Sequence, residues 1–315
     1  MAITDGERAP KPSGAQSSVP TPAQIDAAES PQAQLWARAF RHVGFLFGAT
    51  VLIAIVLMAL LAPFVAPYDP YDQDLTRRLI PPVWFDSAKA TWAHPLGTDL
   101  LGRDYLSRLL WGARISLLIG FSAMLISLVI GTTLGVIAGY FGGRVDAIIS
   151  FIITTRLSMP VVLVALAVVS LVGSSLTVVI FVLGLLIWDQ FAVVTRSATQ
   201  QVRSLDFVAS AEALGSPTWR ILTTEVMPNI ANPLIVIATI EMAHAILLEA
   251  ALSFLGLGVQ PPEPSWGLMI AEAKGMMFFD GWLIAIPGVA LFMLVLAINL
   301  LGDGVRDVTA PENRK

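Results

Sequence analysis

VGFLFGATVLIAIVLMALLAPFVA, residues 43–66, carries no charged side chain before Pro67 closes it. A helix needs about 20 mostly apolar residues to cross ~30 Å of hydrocarbon at ~1.5 Å per residue, so this stretch is long enough to span a bilayer. Working outward, five more apolar runs follow, at about 115–140, 147–172, 176–195, 230–257 and 282–301. Six spans are therefore expected in an all-α polytopic membrane protein. Composition agrees: 56% of the 315 residues are hydrophobic and 13% charged, with a mean hydropathy of +0.74, whereas a soluble domain is about a quarter charged. A soluble fold of this length cannot hide so much apolar surface.

A net charge of −4 and the absence of a long basic cluster give no sign of nucleic-acid binding. The chain has no cysteine, which excludes disulfides, thiolate metal sites and a cysteine nucleophile. Residues 1–42 are rich in Pro, Ala, Ser and Gln and lack an apolar core, so they are expected to be a disordered tail and not a signal peptide. Six spans put both termini on one side. Lys and Arg are denser in the segments on that side, so the termini are expected to be cytoplasmic. Trp111, Tyr140 and Trp282 lie near span boundaries, where aromatic rings anchor at the interface. Gly131, Gly135 and Gly139 in the second run repeat at four-residue spacing. They form a flat strip on which a neighbouring helix can pack closely.

Two polar stretches lie outside the hydrocarbon, an outer loop at about 68–110 and a cytoplasmic loop at about 196–229. The second is the more informative. Ser204 is expected to cap a short helix with Asp206 in its first turn. Leu205, Val208, Ala211 or Glu212, and Leu214 then fall at helical spacing. Gly215 supplies a positive-φ stop, Ser216-Pro217 restarts a helix with Pro at its first position, and Pro228 ends or bends it. A helix, a glycine corner and a second helix make a small knob. It would either dock into a groove on a partner or rest on the membrane surface as an amphipathic connector.

The stretch from Phe207 through Ala209, Ser210, Ala211, Glu212, Ala213 and Leu214 to Gly215, followed by Met227-Pro228, resembles the EAA loop of ABC importer permeases. That pattern reads Glu-Ala-Ala, three residues, Gly, nine residues, Ile-x-Leu-Pro. Gly215 and Pro228 match it, while Ala209, Ser210, Glu225 and Met227 depart from it, and Glu212 carries a carboxylate three residues late. HPLGTDLLGRDYLSRLLWGARIS (94–116) and EAALSFLGLGVQPPEPSWG (249–267) resemble segments of peptide- and nickel-type permeases, before the second span and at the outer end of the fifth. The resemblance covers about 43–308 and is to the C-type member of a permease pair.

The resemblance implies a type I ABC importer permease fold in a bacterial inner membrane: a transmembrane permease domain at 43–308, flanked by cytoplasmic tails at 1–42 and 309–315. It implies a transport subunit and not an enzyme, with no cofactor of its own. ATP and Mg would sit on two ATP-binding subunits, and the chain has no G-x-x-x-x-G-K-[ST] phosphate loop. A second, B-type permease would complete the path for peptides or related small solutes, delivered by an extracytoplasmic substrate-binding protein. ATPase coupling is assigned to Asp206, Val208, Ala209, Ala211, Glu212, Leu214, Gly215, Ser216, Pro217 and Pro228. The binding-protein side is assigned to Gly97, Asp99, Gly102, Arg103, Asp104, Ser265, Trp266 and Gly267.

Ionisable residues inside spans are costly and are functional candidates by default. Here Asp189, Glu241, His244 and Glu249 are candidates for the pore or for intramembrane bonding, and Arg156 joins them as a residue expected to snorkel or pair about ten residues from the inner start of its span. Glu241 and His244 share a helix face at i, i+3; a metal site would need more ligands than these two. An ion-coupled secondary transporter would also use carboxylates such as Asp189 and Glu241, but would more often show broken helices in paired halves. An intramembrane hydrolase would need a nucleophile within reach of His244.

Overall fold

The structure, a computed structural model, describes residues 40–309. The expected N-terminal tail lies outside the described residues up to residue 39, and the C-terminal tail lies outside them from residue 310. Among the described residues the fold is helical, and its one β contact is an isolated bridge between Thr98 and Asp104.

Helix α1 (Val43–Val65) begins where His42 Nδ1 accepts the Phe45 amide at 3.0 Å. Its buried residues are Gly48, Ile55, Ala59 and Ala62; Leu57, Leu60, Leu61 and Phe64 are exposed and face what would be lipid. Helix α2 (Tyr105–Phe141) has 37 residues, about 55 Å at ~1.5 Å per residue. It begins ten residues before the run at 115–140 because Asp104 caps it, accepting the Ser107 amide at 2.7 Å. Apolar periodicity does not register such a polar, buried start.

The expected third run is two helices, α3 (Gly143–Leu157) and α4 (Val161–Val172), bent by 82°. Pro160 offers no amide to continue α3 and disfavours helical geometry at Met159 before it. The fourth run is also interrupted. Helix α5 (Leu176–Leu186) gives way at Ile187–Trp188 to α6 (Asp189–Arg203), which runs eight residues past the expected 195. The glycine strip explains the extension. A Cβ on Gly131, Gly135 or Gly139 would lie 2.3 Å from Trp188 O, 2.6 Å from Ala192 O and 2.7 Å from Arg196 O, respectively. Thus α6 packs directly on the α2 backbone. Arg196 is paired with Asp146 at the start of α3, its Nη2 donating to Oδ2 at 2.7 Å.

Gly184 meets Ile126, and Gly139 meets Arg196 and Thr199, so α2 runs parallel to α5–α6. The α3–α4 pair must therefore return the chain across the bundle. Five spans, with α5 and α6 together forming one of them, and this bent pair make six crossings. The next elements are α7 (Asp206–Ala213) and α8, a helical run of Thr218–Arg220, the π-helical Ile221–Val226 and Met227–Asn229. Then come α9 (Ala231–Phe254), the unanticipated loop helix α10 (Trp266–Ala273) and α11 (Trp282–Thr309). His42 Nε2 lies 3.1 Å from Asp307 Oδ2, so the start of α1 and the end of α11 share one end of the bundle. The α7–α8 knob is at that same end, beside the last turn of α2; the 68–104 and 255–281 loops lie at the other.

Candidate functional site

Ser204 does not cap α7. Its hydroxyl donates to Gln201 O at 2.7 Å and it closes α6, while Leu205, with no capping side chain, precedes α7. Asp206 sits in the first turn, where a carboxylate complements the helix dipole. Val208 is the buried residue of α7, packed with Tyr140, Phe191, Ile221 and Val226; Ala211 packs at the edge of that cluster. The expected apolar face is therefore split, because Leu205 and Leu214 point out, Leu214 being 86% exposed. Asp206, Ala209, Glu212 and Pro217 are exposed as well.

At the corner Gly215 has φ +75°. Its amide donates to Glu212 O at 2.9 Å and that of Ser216 to Ala211 O at 3.1 Å, the paired bonds that close a helix on a left-handed residue. Pro217 is extended at φ −65°, ψ 143°, just before α8 and not at its first position. Pro228 lies in the last turn of α8, which ends one residue later at Asn229; the preceding wide turn, Ile221–Val226, accommodates a residue with no amide to donate.

Sequence reading assigned Tyr140 to the interface as an aromatic anchor and missed its bond. The Tyr140 hydroxyl donates to Glu212 Oε1 at 2.9 Å, and the Arg203 guanidinium lies 5.5 Å from the same ring centroid. These contacts join α2, α6 and α7. No local signal marks a partner 72 residues away in sequence. The outward side of the knob presents Phe207, Leu214 and Trp219, all exposed.

At the opposite end lie all eight residues assigned to the binding-protein side, each of them buried in the chain. Asp99 Oδ2 accepts from Arg103 Nε and Arg108 Nη1, each at 2.6 Å. Glu272 Oε2 on α10 accepts from Arg103 Nη2 at 3.0 Å and Arg108 Nη1 at 2.7 Å. His94 Nδ1 lies 2.8 Å from Asp104 Oδ1. Gly97 and Gly102 have φ +81° and +75°, and a Cβ there would strike Ile80 O and Asp74 O. Trp266 is fully buried, its indole donating to Leu109 O at 2.9 Å and its amide to Ser116 Oγ at 3.1 Å. A Cβ on Gly267 would lie 2.7 Å from Ala250 Cα. Two matched stretches far apart in sequence are thus the two halves of one polar clasp. The exposed groups at this end are others, including Trp84, Trp92, Phe278 and Phe279.

Of the intramembrane candidates, Glu249 belongs to that clasp, its Oε1 accepting from Ser253 Oγ at 2.7 Å and Ser265 Oγ at 2.8 Å. Asp189 is buried at the start of α6. Glu241 is buried near the middle of α9, and its Oε2 lies 3.3 Å from Nδ1 of the half-exposed His244. Arg156 Nη2 donates to Leu186 O, a carbonyl at the α5–α6 break. Among the described residues no three His, Asp or Glu converge as metal ligands.

The binding-protein-dependent transport system inner membrane component family matches at residues 131–315, and the N-terminal transmembrane domain of oligopeptide transport permease C matches at 30–82. A dipeptide transport system permease protein of Haemophilus influenzae is 38% identical over 286 residues, 91% of this chain and 96% of the relative. A di/tripeptide transport system permease protein of Pseudomonas aeruginosa is 41% identical over 283 residues, 90% and 93%. A glutathione transport system permease protein of Pectobacterium atrosepticum is 37% identical over 284 residues, 90% and 92%. The inward-facing MetNI methionine ABC transporter has a chain that superposes with a TM-score of 0.53 at 19% identity, covering 64% of this chain and 96% of its own; the likeness is one of fold.

Proposed function

This chain belongs to the family of binding-protein-dependent transport system inner membrane components, and from that premise we propose that it carries peptides of a few residues, working with a second permease, two ATP-binding subunits and an extracytoplasmic binding protein. It is a permease subunit of an ATP-driven importer. The dipeptide and di/tripeptide relatives support the substrate class. No cofactor is assigned to this chain; ATP and Mg belong to the ATP-binding subunits. The knob end, which carries both ends of the described chain, faces the cytoplasm of a bacterial cell.

The observation that carries the reading is the α7–α8 knob. It is a rigid corner fastened to α2 from within by Val208 and the Tyr140–Glu212 bond, and it presents unpaired Phe207, Leu214 and Trp219 outward. An ATP-binding subunit that grips this face and moves would carry α2 with it. Asp206, Ala209, Leu214, Gly215, Ser216 and Pro217 form the gripped surface, while Ala211, Val208, Glu212 and Pro228 hold its shape.

Gly215→Val tests it. A Cβ there meets no atom within 4 Å, but φ is +75°, a region that β-branched residues avoid; the corner must open to accommodate it. In proteoliposomes holding the whole transporter, uptake per ATP hydrolysed is expected to fall at least about tenfold, the effect of ~1.4 kcal/mol, with the protein still in the membrane. Uptake that persists without any ATP-binding subunit would contradict the reading.

A further inference from the structure

Three interrupted or polar elements meet at one depth of the bundle. The α5–α6 break follows the 11 residues of α5, roughly 16 Å of helix, and so falls deep within the span. The bend between α3 and α4 brings Arg156 to that break, where its Nη2 donates to Leu186 O and its Nη1 to Met159 O at 3.4 Å. On α9, His244, bonded to Glu241, lies within electrostatic reach of both Asp189 and Arg156. Non-helical backbone at membrane depth is tolerated only where protein buries it or where it lines a wet cavity.

His244 stands outermost, its side chain 45% exposed between Ile240 and Leu247 on the outer face of α9. An imidazole bonded to a buried carboxylate is costly to leave against lipid, so this face of α9 lines an aqueous path. The cluster carries two carboxyl groups, Asp189 and Glu241, against one guanidinium already committed to backbone carbonyls. Arg156 Nε is buried with no hydrogen-bond partner, so the cluster is not closed on itself. With its proton on Nδ1, His244 donates to Glu241 Oε2 3.3 Å away, an arrangement that leaves Nε2 as an acceptor on the open side.

We propose that His244 and Glu241, with Asp189 behind them, form a way-station in the path for the primary ammonium group of the transported solute. Its three N–H donors meet the His244 lone pair and the Glu241 carboxylate, and its charge balances the second carboxyl group. This rests on the reading of the chain as a peptide permease. It adds a polarity filter inside the membrane, separate from selection by the binding protein.

The test uses the complete permease–ATPase complex in lipid nanodiscs, without nucleotide or binding protein. Equilibrium binding of radiolabelled L-alanyl-L-alanine is compared with that of its N-acetyl derivative. The free dipeptide is expected to bind about tenfold more tightly, and Glu241→Gln and His244→Ala each to abolish the preference. His244→Ala, at a half-exposed position, decides the matter where the buried Glu241 variant fails to assemble. Equal binding of the two ligands, no binding of either, or a preference kept in His244→Ala overturns the proposal. ATP-dependent dipeptide uptake by the wild-type transporter is measured in parallel; its loss would overturn the functional reading itself.

Discussion

Asp99 does the work of several residues at once. Its Oδ1 accepts the Leu101 and Arg103 amides at 2.8 and 3.0 Å, while Oδ2 holds two guanidinium groups. Both arginines are buried, Arg108 to 1% exposure. Removing one partner of a buried ion pair leaves an uncompensated charge and costs about 3–5 kcal/mol. Asp99→Ala is therefore expected to destabilise the protein by that order, seen as a large drop in the unfolding temperature of the detergent-solubilised protein. Replacing the exposed Trp92 by Ala is expected to leave that temperature unchanged. The sequence already singled out Asp99 and Arg103, as residues of the binding-protein side. A motif marks residues that matter together without saying which side of the fold they face.

Among the elements, the α2–α6 pair joins knob to membrane. Gly135 sits where α6 lies against α2, with Ala192 O 2.6 Å and Thr195 Cβ 2.8 Å from a hypothetical Cβ. Gly135→Leu would push the helices apart, and overpacking of this kind costs about 1–3 kcal/mol or more. The expected result is reduced assembly with the other subunits, read by co-purification yield. The knob's attachment is subtler. Tyr140→Phe removes one hydrogen bond to Glu212, a net loss of about 0.5–1.5 kcal/mol, and leaves the ring against Arg203 in place. The knob should stay folded but pull less firmly, so more ATP is hydrolysed per solute imported, by up to about tenfold. An unchanged ratio would mean that Val208 packing alone carries the motion. The four-residue glycine spacing was legible because it lies within one helix. The Tyr140–Glu212 bond was not, since its partners come from separate helices.

For the whole molecule, the six crossings and the shared end of α1, α11 and the knob make the orientation testable. The chain has no cysteine, so single cysteines can be introduced on a silent background. Leu214 and Phe278 are 86% and 89% exposed at opposite ends. In intact bacterial cells with a permeabilised outer membrane, Phe278→Cys is expected to react with a membrane-impermeant maleimide. Leu214→Cys should react only after the inner membrane is opened, and the reverse pattern would invert the assignment.

The sequence by itself determined what is set locally: the apolar runs that choose lipid over water, their number, the glycine strip, the positive-φ corner at Gly215 and the family. Each of these depends on a few neighbouring residues, and hydrophobic length and backbone sterics need no distant partner to act. Tertiary structure alone decided that the third span is bent at Pro160, that α6 extends to Arg203, and that the two long matched stretches close on each other as a buried clasp. It also brought Arg156, Asp189, Glu241 and His244 to one depth. Those outcomes depend on which buried charges and carbonyls find partners across the bundle, and burial decides whether a polar residue at the end of an apolar run belongs to a loop or to the core.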